Sequence, residues 1–281
     1  MIDDPSVIHQ NIVPSLKSAY QNKQSWRLRF AVAENAAQIS SKLTKQQVDS
    51  SVLNFYVTLL GDSEPEVRSE AVDKLPFLAK NCTSSLIVQQ VLPRFKLQLT
   101  TESSQHVKGS MAVSICKLSE IVTSDEAASY LVPMVSILLK NNSTEVIVSL
   151  IENLQPLISV LPMSSLNEKL IPALVNLAQD KTWRIRYAAI NFFPKLGEYL
   201  DRDTMQQKIE PTIAAMLTDP VFTIREQTAV TLIALSQKVF DQAWLERLIE
   251  SRLEELVSNE RFMLRIQTIH CINQMKDHVS H

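Results

Sequence analysis

The residues that could do acid–base, nucleophilic or metal chemistry are present in this chain but are not spaced for it. His9, His106, His270, His278 and His281 form no H-E-x-x-H pair and join no cysteines at ligand spacing. His278-x-x-His281 stands at a chain end, where a fraying helix is a poor metal clamp. Cys82, Cys116 and Cys271 are odd in number and far apart, so they read as reduced core thiols, not a disulfide framework. Serines are frequent, but none lies in G-x-S-x-G, and no Walker, kinase or EF-hand pattern occurs. With only Gly61, Gly109 and Gly197, the chain has no Gly-rich phosphate loop. Carboxylate pairs such as Glu254-Glu255 read as solvated helix faces. The sequence predicts no catalytic residues, no metal and no cofactor: this is not an enzyme.

Two other constellations recur at fixed offsets. In the first, an acid precedes a base by six positions: Asp62 and Arg68, Glu102 and Lys108, Asp180 and Arg186, Asp219 and Arg225. Either these are solvated charges, or they form a ladder in which the acid of one unit meets the base of the next. Recurrence favours the ladder. In the second, aromatic residues fall in predicted turns: Trp26, Trp183, Phe222 and Phe262, accompanied by Arg27, Arg184 and Arg261. Each ring either covers its own helix junction or belongs to a binding ridge, since Trp and Arg dominate binding hot spots.

The elements that position these residues follow from a period. Leu28-Arg29, Val67-Arg68, Val107-Lys108, Val146-Ile147, Ile185-Arg186, Ile224-Arg225 and Leu264-Arg265 mark one repeating place, at spacings of 39, 40, 39, 39, 39 and 40. Sparse glycine and the absence of β-like alternation make the fold all-α. A helix-pair repeat near 40 residues is the signature of a HEAT or armadillo α-solenoid. The sequence predicts one solenoid over 1–281, a superhelix of about seven helix pairs at 5–43, 44–82, 84–122, 124–161, 164–200, 203–240 and 242–279. Capping boxes are expected at Thr44-x-x-Gln47, Ser63-x-x-Glu66 and Ser165-x-x-Glu168. The second helix of repeat four is expected to run from Thr144 to Leu161. Pro93, Pro133, Pro172 and Pro211, 40, 39 and 39 apart, predict a bend in each first helix. Neither end has a polar capping repeat, so the chain is expected to belong to a longer stack or to have covered ends. Ile8, Ile12 and Leu16 at one end, and Ile266, Ile269 and Ile272 at the other, are expected to leave an apolar stacking face open.

Composition bounds the partners. A net charge of -2 and a pI near 6.2 give no basic footprint for nucleic acid. Apolar runs such as Leu131 to Leu139 are interrupted by proline and too short to cross a membrane. Met1-Ile2-Asp3-Asp4-Pro5 is acidic and unlike a signal peptide, so the expected location is the cytoplasm, with the nucleus as a second compartment.

Several stretches resemble one family. Asp180-Lys181-Thr182-Trp183-Arg184-Ile185-Arg186-Tyr187-Ala188-Ala189-Ile190, Val221-Phe222-Thr223-Ile224-Arg225-Glu226, Gln105-His106-Val107-Lys108 and Leu264-Arg265-Ile266-Gln267-Thr268-Ile269-His270-Cys271-Ile272-Asn273 look like the structural (A, scaffold) subunit of protein phosphatase 2A. That family has fifteen repeats, and these seven resemble its seventh to thirteenth. The resemblance implies a scaffold whose turn ridge holds a phosphatase catalytic subunit together with a variable, B-type regulatory subunit. It carries the catalytic-subunit contact onto Trp183, Arg184, Phe222, Arg261 and Phe262, and the regulatory-subunit contact onto Trp26 and Arg27. Ile147 departs from the pattern, because a base is expected there. The alternative reading is another HEAT protein-binding module, such as a transport receptor or assembly factor.

Overall fold

The computed structural model describes residues 4–260 and 262–275. The helices group into two compact units, Met1–Pro162 and Met163–His281. The first unit contains α1 (5–20) with α2 (Trp26–Ser40), α3 (45–59) with α4 (Pro65–Lys80), and α5 (84–101) with α6 (Gln105–Leu118). It closes with α7 (124–139), α8 (Thr144–Asn153) and α9 (Gln155–Val160). The second unit contains α10 (163–177) with α11 (Trp183–Leu196), α12 (202–216) with α13 (Phe222–Lys238), and α14 (Gln242–Val257) with α15 (Phe262–Met275).

The first helix of a repeat is interrupted by a five-residue π turn: Ile8–Ile12, Val48–Val52, Ile87–Val91, Ala127–Leu131, Leu166–Leu170 and Met205–Ile209. Its closing bond runs five residues back, as from Leu92 N–H to the Ile87 carbonyl. Pro14, Pro93, Pro133, Pro172 and Pro211 each sit two residues after such a turn. A proline inside a regular helix lacks a donor and collides with the carbonyl four residues back; the wider turn relieves both conflicts. The bend expected from periodic proline is therefore a π turn. Proline is not its only cause, because α3 has the same turn with Asn54 at that place.

Proline does break the second helix of repeat four. The expected helix from Thr144 to Leu161 is two helices, α8 and α9, parted at Leu154. Pro156 has no N–H and disfavours helical backbone at Gln155. Leu154 N–H turns back three residues to Ile151, at 3.3 Å. Pro76 and Pro194 leave α4 and α11 continuous.

Two capping boxes need correction. Thr44 and Gln47 make theirs, as do Thr123 and Glu126. Ser63 does not cap α4: Glu64 is the N-cap residue and Pro65 opens the helix. Ser165 lies inside α10, whose first turn already starts at Met163.

Second helices pack in series: α2 on α4, α4 on α6 and α6 on α8 in the first unit, α11 on α13 and α13 on α15 in the second. Their shared core includes Val67, Ala71, Leu75, Val107, Met111, Ile115, Val146 and Leu150 in the first unit, all buried. The anchor place is buried from Val67 to Ile224, whereas Leu28, with no earlier repeat against it, is 45% exposed. Ile8 departs from expectation. It is 1% exposed, turned into the first unit rather than left on an open face. Ile269 is exposed, and the side chain of Ile272 lies outside the described residues.

Candidate functional site

The turns between paired helices hold the polar residues that the sequence singles out. Arg29 Nε and Nη2 donate to the two oxygens of Asp62, at 2.6 and 2.8 Å. Arg68 repeats this on Glu102, at 2.7 and 2.7 Å. In the second unit Arg186 repeats it on Asp219, at 2.7 and 2.8 Å. These side chains are no more than 12% exposed. Forked arginine–carboxylate pairs are among the stronger charge-assisted bonds, but when buried they fix geometry more than they add net stability.

The direction of the ladder is the reverse of the expected one. The base of one repeat reaches the acid of the next, not the acid the base of the next. Arg29 belongs to the ladder too; no acid stands six residues before it, although the Leu28-Arg29 place in the period marks it. The six-residue spacing has another cause. Arginine Nη1 donates to the backbone carbonyls at or near six and five residues behind it: Asn22 and Lys23 for Arg29, Asp62 and Ser63 for Arg68, Asp180 and Lys181 for Arg186, Asp219 and Pro220 for Arg225. The acid meanwhile ties down its own turn. Asp62 accepts from Glu64 N–H, Glu102 from Ser104 N–H, Asp180 from Thr182 N–H and Asp219 from Val221 N–H. Arg29, Arg68 and Arg186 therefore each staple two successive turns.

Electrostatics follow the geometry. Burial would raise the Glu102 carboxyl, but Arg68, the Ser104 amide and Gln98 hold it down at about 2. Burial opposes the Arg29 and Glu64 bonds at Asp62 in the same way, and the net shift is again downward. At the third junction Lys108 replaces the arginine and Asn141 the acid. Asn141 still accepts from Ser143 N–H at 2.7 Å, but, being neutral, it forms no ion pair with Lys108. Two open clefts of about 660 and 400 Å³ lie beside the Arg29–Asp62 and Arg186–Asp219 pairs.

Trp26, Trp183, Phe222 and Phe262 are the first residues of α2, α11, α13 and α15. Trp183 is 37% exposed, Phe222 49% and Phe262 61%; Trp26 is half-buried. Arg27 lies over the Trp26 ring at 4.7 Å, and Arg184 over the Trp183 ring at 4.8 Å. Phe30 and Tyr187, one turn on, meet the same rings edge to face at 6.5 Å. Arg225 and Arg265 approach Phe222 and Phe262 at 5.8 and 5.7 Å. Each ring therefore covers its own helix start and still presents a face to solvent beside a cation. Arg261 lies outside the described residues.

Among the described residues, no three His, Cys, Asp or Glu side chains are placed to share a metal ion. No described helix is long and apolar enough to cross a membrane. His9 Nε2 lies 2.8 Å from Ser51 Oγ, but no described carboxylate holds the other ring nitrogen as a hydrolytic triad requires. Burial pushes the Cys82 and Cys116 thiols up to about 12, away from reactivity.

A family model described as PIK3R4-like, middle domain, matches residues 122–281, more than half of the chain. The chain belongs to this family. A second model, PPP2R1A-like HEAT repeat, matches residues 45–123 of this PIK3R4-like chain. The beta isoform of the human 65 kDa regulatory (A) subunit of serine/threonine-protein phosphatase 2A is 33% identical over 103 residues, covering 35% of this chain and 17% of the human one. The chain thus matches a small part of that relative's length. A crystal structure of a Kap121p mutant superposes with a TM-score of 0.65 at 13% identity, over 94% of this chain and 30% of Kap121p. A designed armadillo repeat protein in complex with a (KR)4 peptide gives 0.52 at 18% identity, over 79% of this chain and 98% of its own. The fold is that of HEAT and armadillo helical repeats, and the chain is a scaffold-like HEAT protein with partial similarity to the phosphatase scaffold subunit.

Proposed function

We propose that this chain is a non-catalytic scaffold that holds a serine/threonine phosphatase catalytic subunit together with a B-type regulatory subunit in one assembly. The observation that carries the reading is the aromatic–cation pair at the start of second helices, half-open at Trp183–Arg184 and repeated at Trp26–Arg27. An aromatic anchor in a cationic rim suits a partner with an apolar pocket edged by carboxylates. The similarity to a phosphatase scaffold subunit supports the identity of that partner. In this reading Trp183, Arg184, Phe222, Arg261 and Phe262 meet the catalytic subunit, and Trp26 and Arg27 the regulatory subunit. The assembly works in the cytoplasm. The test is direct: purified phosphatase catalytic subunit binds the immobilised chain, and the chain has no phosphatase activity of its own.

A second reading is a HEAT binding module for another class of protein, a transport receptor or assembly factor. The likeness to Kap121p over 94% of the chain favours it. Co-purification distinguishes the two, because the first requires a phosphatase catalytic subunit to dominate the recovered partners.

A further inference from the structure

We propose that the junction between repeats three and four is a joint on which the first unit bends at its turn side. The two preceding junctions are stapled. Arg29 holds the carbonyls of Asn22 and Lys23 and, with its other nitrogens, the carboxylate of Asp62 in the next turn. Arg68 holds Asp62 and Ser63 and reaches Glu102 in the same way. Where the third staple belongs, the chain has Lys108 and Asn141. An ammonium is a compact point charge without the fork that grips two turns at once. Asn141 keeps the half of the device that shapes its own turn, the 2.7 Å bond from Ser143 N–H, and loses the half that ties it to its neighbour.

The loss is confined to one side of the junction. Helices α6 and α8 still pack together, through Val107, Met111 and Ile115 on one and Val146 and Leu150 on the other, all buried. This contact is the pivot, and the unstapled turns 102–104 and 140–143 are the edge that opens and closes. Replacing both partners of a buried pair costs little stability, so the junction stays folded while losing a geometric constraint. A second feature lies in the same repeat. The helix that would brace the junction is parted at Leu154, where Pro156 forbids a continuous rod. A packed pivot with a released edge is how hinge motions are built. A partner seated across turns two to four would select one spacing of those turns from the set the free chain visits. The inference does not depend on which partner the chain holds.

Paired spin labels on the full chain test it. Glu66, His106 and Glu145 occupy equivalent exposed positions, each one residue before the buried anchor valine of repeats two, three and four. Cys82 and Cys116 are buried with thiols near 12 and will not label, and a Cys271→Ser background removes the remaining thiol. The distance distribution for Glu66→Cys with His106→Cys reports the stapled junction; that for His106→Cys with Glu145→Cys reports the joint. The second is expected to be at least twofold wider. Adding Lys108→Arg and Asn141→Asp together is expected to narrow it to the width of the first, while either substitution alone leaves it wide. Equal widths in the unmodified pair would overturn the joint. A wide distribution that the double substitution does not narrow would overturn the missing staple as its cause.

Discussion

Thr231 Oγ1 on α13 donates a 3.3 Å hydrogen bond to the backbone carbonyl of Ile190 on α11. Pro194, four residues after Ile190, has no N–H to offer that carbonyl. A side chain of the next repeat thus supplies the donor that proline removes. Thr231 is 1% exposed, so its loss leaves a buried acceptor unsatisfied. Thr231→Val is expected to cost ~1–3 kcal/mol in denaturant unfolding. The cost should shrink in a Pro194→Ala background, where residue 194 can donate.

Arg186 and Asp219 should show the asymmetry of a buried pair. Asp219→Ala strands the arginine and is expected to cost ~3–5 kcal/mol. Arg186→Leu with Asp219→Leu should cost far less. Arg186→Lys keeps the charge but loses the fork and the carbonyl bonds, and should fall between. Chemical denaturation of the three variants orders them.

Much of the fold was legible in the sequence. A spacing of 39 or 40 located every anchor place, because each repeat must bury the same face on its neighbour. The direction of the ladder was not legible. Acids and bases that recur at one offset within a repeat keep fixed offsets to both neighbouring repeats, and only the fold selects Arg29 with Asp62. The cause of the six-residue spacing was hidden too, since it lies in backbone carbonyls that no side chain announces. Proline marked the interrupted first helices, but a π turn also forms before Asn54, where no residue signals it. At Trp183 the sequence posed junction cover against binding ridge, and the structure gives the ring both a covered edge and an open face.

Acid should weaken the second junction in a defined window. The folded-state carboxyl of Glu102 lies near 2, below its unfolded value of about 4.3. A depressed carboxyl stabilises fully above the unfolded value and loses that contribution as pH falls through the folded one. On the order of 2 kcal/mol should therefore disappear between about pH 4.3 and 2. Glu102→Gln should flatten that part of the stability–pH curve.

Two glycines should respond oppositely to alanine. Gly109 lies within α6 with nothing within 4 Å of an added Cβ, so Gly109→Ala should stabilise by ~0.5–1 kcal/mol. At Gly197 the added carbon would collide with Val239 Cγ2. Gly197→Ala should cost ~1–3 kcal/mol by overpacking, and Val239→Ala should relieve it. Thermal melts of the three variants check both signs.

The scaffold reading is tested most directly by the affinity of purified phosphatase catalytic subunit for the full chain, measured beside Trp183→Ala. The ring touches Tyr187 edge to face and lies under Arg184, so the substitution should cost about 1 kcal/mol of stability. As an interface anchor, Trp183 should be worth ~2–4 kcal/mol of binding. The account predicts that the unmodified chain binds the catalytic subunit and that Trp183→Ala, still folded, binds it at least tenfold more weakly. No binding by the unmodified chain, or equal affinity of the folded variant, would contradict it.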